Sequence, residues 1–102
     1  MLFMIKRSTE IKINQFQLAL LLDDKEKQFY NYVIANNIYC SQCRGIASEG
    51  IVVEEIFLTD LNDIRVRGRC KVCNGEVGRL FEYGENKDFY DKVSLFRNSI
   101  KK

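Results

Sequence analysis

Four cysteines sit in two identical C-x-x-C-x-G turns: Cys40, Cys43 and Gly45 in the first, Cys70, Cys73 and Gly75 in the second. The chain has four cysteines in all, so none is left over. A tight turn can aim two sulfurs three residues apart at one point. Two such turns supply four thiolates for one tetrahedral metal site. Glycine two positions after the second cysteine is expected to take a positive φ, letting backbone N–H groups turn toward sulfur. One zinc ion is the expected occupant, because all-thiolate tetrahedral sites are most often zinc sites. Four protein ligands leave no open coordination position, so the metal is expected to hold structure rather than catalyse.

Other uses of cysteine account for less of the pattern. Buried core thiols need no paired spacing. A thioredoxin-like redox pair uses one C-x-x-C at a strand-to-helix junction and leaves the second without a purpose. Iron in a rubredoxin-like site uses similar paired turns, and spacing does not distinguish it from zinc.

The elements that must position these turns fall into three zones of one domain, residues 1–102. In zone one, residues 1–39, the alternation around Ile11 and Ile13 suggests a strand within residues 2–13. Asn14 with Gln17, then Asp23 with Glu26, read as two capping boxes. They open a short helix to Leu22 and a longer one to about Asn36. Phe29, Tyr32 and Val33 share a face of the longer helix and are expected in the core, while residues 18–22 are apolar all round and expected buried on more than one side.

Zone two, residues 38–84, carries the cysteines. Residues 51–58 are rich in β-branched and aromatic side chains and predict a strand, followed by turn residues at 60–63. Residues 64–69 alternate strictly, with Ile64 and Val66 on one face and Arg65, Arg67 and Arg69 on the other. A return strand is expected over residues 76–83. Zone three, residues 86–102, predicts a helix whose Phe89, Val93, Phe96 and Ile100 form one stripe. Lys101 and Lys102 suit its C-terminal dipole.

Two knuckles joined by a hairpin, with a third strand after the second knuckle, resemble a zinc ribbon over residues 38–84. The resemblance implies a small α+β fold: a three-stranded antiparallel zinc ribbon flanked by N-terminal helices and a C-terminal helix. Ribbons occur in transcription factors, polymerase subunits, ribosomal proteins and adaptors, so the likeness implies binding of protein or nucleic acid more than catalysis.

Composition bounds the function further. Of the 102 residues, 46% are hydrophobic and 29% charged, as in ordinary globular domains, and a core this small gains from a metal staple. Formal charge is +2 with neutral thiols. Four thiolates and one dication bring the loaded chain near zero, which speaks against coating a polyanion. Histidine is absent, so Ser41, Ser48, Ser94 and Ser99 lack the usual activating base. Glu54 and Glu55, adjacent in a strand, are expected on opposite faces. No phosphate-binding glycine loop appears. An enzyme is not expected. The apolar start, Met1 to Ile5, ends at Lys6 without a cleavage pattern, and no stretch is long enough to span a membrane. Reducing cytoplasm is the expected compartment, where paired thiols favour metal over disulfide.

Two surfaces are candidates for recognition. Arg65, Arg67, Arg69, Lys71 and Arg79, with Arg44, form a phosphate-contacting strip, with Tyr39, Phe81 or Tyr83 to stack on bases. Alternatively, these cations offset the charge of the tetrathiolate and solvate an exposed face. The stripe Phe89, Val93 and Phe96 either docks a partner, a second copy included, or covers the chain's own core. The leading expectation is a non-enzymatic, zinc-stabilised adaptor that binds another protein. The alternatives are a nucleic-acid-binding ribbon using the arginine strip, and a rubredoxin-like iron electron carrier.

Overall fold

The computed structural model describes residues 10–100. Residues 2–9 of the expected first strand, the apolar start at residues 1–5 and the closing Lys101 and Lys102 lie outside the described residues. The described chain runs β1 (Ile11–Ile13), α1 (Gln15–Leu21), α2 (Asp24–Asn36), β2 (Tyr39–Cys40), β3 (Gly45–Ile46), β4 (Ile51–Leu58), β5 (Ile64–Cys70), β6 (Glu76–Phe81), a 3-10 turn (Tyr83–Glu85) and α3 (Lys87–Ile100). It is an α+β fold. None of the described helices is long and apolar enough to cross a membrane.

Among the described residues the main sheet is antiparallel and has four strands, in the order β1-β4-β5-β6, with a separate β2-β3 hairpin. Three strands were expected in the ribbon. The fourth is β1, which pairs Ile11 with Leu58 and Ile13 with Ile56 and so extends the sheet beyond the ribbon. Its alternation sets Ile11 and Ile13 on the face that the helices cover, where Ile13, Ile56, Leu58, Ile64, Val66, Val77 and Phe81 are buried in one core cluster.

Both capping boxes form as the spacing predicts. The Asn14 side chain accepts from the Gln17 N–H at 2.8 Å while Gln17 accepts from the Asn14 N–H at 2.9 Å. Asp23 and Glu26 do the same at 2.7 and 2.8 Å. Each box supplies acceptors to N–H groups that a helix start leaves unpaired.

Helix facing departs from expectation on α1 and α2. On α2, Tyr30 and Val33 are buried, whereas Phe29 and Tyr32 are 48% and 58% exposed. The helix is rolled because Tyr30 packs against Phe81 (ring centroids 5.1 Å apart) and the Tyr83 hydroxyl donates to the Glu26 carbonyl at 3.0 Å. On α1, Leu18, Leu21 and Leu22 are buried, but Phe16 and Leu20 stand 83% and 75% exposed, so the helix is covered on one side only. On α3, Phe89 and Val93 lie fully inside the chain's own core and Phe96 packs against it. Of the two readings of this stripe, covering the chain's own core accounts for Phe89, Val93 and Phe96, while Ile100 at its end is 41% exposed. The helix is held there by the β4–β5 turn, where the Asn62 amide donates to the Tyr90 carbonyl and Ser94 hydroxyl and Arg97 donates to the Thr59 carbonyl.

Candidate metal centre

The first knuckle is the tip of the β2-β3 hairpin, in which Cys40 pairs with Gly45 and Tyr39 with Ile46. The second is the turn between β5 and β6, closed by the Cys70 N–H donating to the Gly75 carbonyl at 2.9 Å and the Asn74 N–H donating to the Cys70 carbonyl at 2.8 Å. The 20-odd residues between the knuckles form the β4-β5 hairpin, and the Lys71 N–H donates to the Gly50 carbonyl at 3.0 Å to tie the second knuckle to the loop after the first.

This folding brings all four sulfurs within 4.8 Å of one another. The Cys40–Cys73 separation is 3.5 Å and the Cys43–Cys70 separation 3.8 Å. A tetrahedral ion with metal–sulfur bonds of about 2.3 Å requires sulfur–sulfur edges of about 3.8 Å. The cluster therefore fits a metal ion in both donor type and spacing. Cys40 and Cys70 are buried, Cys43 and Cys73 exposed, so the centre sits half in the core and half at the surface.

Backbone donors turn toward sulfur as the motif requires. The Val72 N–H reaches Cys70 Sγ and the Gly75 N–H reaches Cys73 Sγ, each at 3.4 Å. The Cys70 thiol is pulled down to about 7, chiefly by the Cys73 backbone N–H, with Val72 adding to it against burial. The Cys43 thiol is pushed up to about 12, first through its hydrogen bond with the Cys73 side chain. Four thiols so close share protons, and a metal must displace them, which makes binding acid-sensitive.

The expectation about glycine needs correcting. Positive φ falls one residue earlier in each knuckle, at Arg44 (60°) and Asn74 (63°), and not at Gly45 or Gly75. Asparagine tolerates that region better than most residues. At Gly75 a Cβ would meet the far end of the flexible Gln42 side chain, which can swing aside, and would sit 3.3 Å from Cys73 Sγ, so the position is tight without demanding glycine. Gln42, which the pattern did not single out, accepts from the Cys73 thiol at 3.4 Å and so bridges the knuckles.

The arginine row lies on the sheet face opposite the helices and is occupied by carboxylates. Arg65 donates from two nitrogens to Glu10, at 2.8 and 3.2 Å, and stacks 4.6 Å above the Phe57 ring. Arg67 pairs with Glu55 and Glu76 at 2.8 and 2.9 Å. Arg69 pairs with Glu54 at 3.7 Å, and Lys12 with Glu55 at 3.4 Å. Adjacent Glu54 and Glu55 reach the same arginine row, not opposite faces, because the register shifts between Val53 and Glu55. The Glu55 carboxyl is held below its ordinary range by Arg67 first and Lys12 second. Arg79 is elsewhere, donating to the Asn37 carbonyl at 2.8 Å. Lys71 and Arg44 are exposed beside the knuckles.

No protein-family model, curated protein or solved structure matches this chain, so the cysteine cluster rather than a relative defines the centre.

Proposed function

We propose that this chain is a zinc-stapled, non-enzymatic binding module that recognises another protein in the reducing cytoplasm. The observation that carries the reading is the convergence of four sulfurs at tetrahedral spacing. Four protein thiolates complete the coordination shell, which suits a structural zinc and leaves no place for water or substrate. The commitment of Arg65, Arg67 and Arg69 to Glu10, Glu54, Glu55 and Glu76 supports protein over nucleic acid as the partner. A phosphate would have to displace a carboxylate from each. Apolar side chains exposed around the knuckles, Tyr39, Ile46 and Val72, are of the kind that interface centres bury.

Recovery of partners from the native source by the zinc-loaded protein, with parallel nuclease treatment, tests this. The expected result is a protein partner retained after nuclease and lost with Tyr39→Asp or Val72→Asp, both exposed positions. Loss on nuclease treatment, or retention by both variants, contradicts it. An electron carrier is tested by colour: zinc tetrathiolate is colourless and the iron form is not.

A further inference from the structure

The four sulfurs also stand as two pairs, and each pair joins one knuckle to the other. Cys40 lies 3.5 Å from Cys73, and Cys43 lies 3.8 Å from Cys70. A disulfide bond is about 2.05 Å long, so each pair closes by a movement under about 2 Å. Each pair also combines unlike members. Cys40 ends β2 and Cys70 ends β5, and both are buried. Cys43 and Cys73 lie in the turns and are exposed. A dissolved oxidant can therefore reach one sulfur of each pair, with the second fixed beside it by a strand.

Four cysteines allow three pairings. Bonds within each C-x-x-C would leave the knuckles untied once the metal is gone. Joining Cys40 to Cys70 and Cys43 to Cys73 would set the two buried sulfurs together, out of an oxidant's reach. The pairing that the distances favour links residues 33 and 27 apart in sequence. Cross-links of that span restrain the unfolded chain, as the metal does.

We propose that a hydroperoxide converts the metal centre into two cross-knuckle disulfides, Cys40–Cys73 and Cys43–Cys70, releasing the ion while the fold stays tied. With hydrogen peroxide, the exposed thiolate attacks one oxygen, the O–O bond breaks, hydroxide leaves and a sulfenic acid forms. The buried thiolate then attacks that sulfur, the S–O bond breaks and a second hydroxide leaves. Each disulfide gives up two electrons, and one peroxide with two protons becomes two waters. Thiolate is the form of cysteine that binds metal, so the oxidised centre cannot keep its ion. The inference rests on the metal-staple reading for its starting state only; the pairing rests on the sulfur geometry.

Hydrogen peroxide added to the zinc-loaded full chain tests it, followed by a zinc-sensitive dye, far-ultraviolet circular dichroism and disulfide mapping. The expected result is release of one zinc per chain, loss of four hydrogens to the two named disulfides, and a retained helical signal. A strong chelator should instead remove zinc and helical signal together. Trypsin cuts after Lys71 and separates Cys70 from Cys73, and fragmentation of the linked peptides separates Cys40 from Cys43. Bonds within a knuckle, a Cys40–Cys70 bond, linkage between chains, sulfinic acid in place of disulfide, or sulfurs left reduced overturns the proposal. So does the named pairing with the helical signal lost. Starting material without zinc contradicts the metal reading instead, and its disulfide map still decides the pairing.

Discussion

Tyr30 presents a small physical conflict. Its ring packs on Phe81, yet its buried hydroxyl has no hydrogen-bond partner among the described residues, and burial pushes its ionisation up to about 12. A buried hydroxyl left unpaired costs about 1–3 kcal/mol, while the ring alone provides the packing. Tyr30→Phe is therefore expected to leave stability unchanged or raise it by about 1 kcal/mol, measured by denaturant unfolding. A loss of stability would mean that the hydroxyl is satisfied in solution. The arginines make the opposite point. Arg65 is fixed by Glu10 and Phe57, so truncating it removes an ion pair, packing and one partner of a buried carboxylate together. The cysteines were readable as ligands from type and spacing alone. The positive φ was not, because it falls on Arg44 and Asn74 instead of on the residue whose identity suggested it.

At the scale of elements, what sequence disclosed was what depends on near neighbours. The capping boxes, the alternation of β5 and the hairpin between knuckles follow from contacts a few residues apart, and each forms where the pattern places it. The roll of α2, the one-sided burial of α1 and the pairing of β1 with β4 depend on distant partners, such as Phe81 for Tyr30 and Leu58 for Ile11. The bulge on β4 is of the same kind. It lies opposite Gly68, where an added Cβ would collide with the Val52 carbonyl oxygen. Backbone cannot yield as a side chain can, so Gly68→Ala should cost at least about 2 kcal/mol in thermal or denaturant unfolding. Gly45→Ala, where a Cβ meets nothing within 4 Å, should stay within about 0.5 kcal/mol. Equal effects would show that the close approach of β4 and β5 is not as described.

For the whole molecule, magnitudes decide what the metal does. A structural zinc in a small module binds with about 10–16 kcal/mol at neutral pH. The net stability of a domain is about 5–15 kcal/mol, so the metal term matches or exceeds the entire margin. The knuckles sit at one end of the sheet and share its core through Cys40 and Cys70, which links metal occupancy to the fold as a whole. Elemental analysis of the untagged protein tests the account most directly. It should find one zinc per chain, removed together with folded structure by a strong chelator or by Cys40→Ser. Material that carries no stoichiometric metal and yet keeps its fold would contradict it.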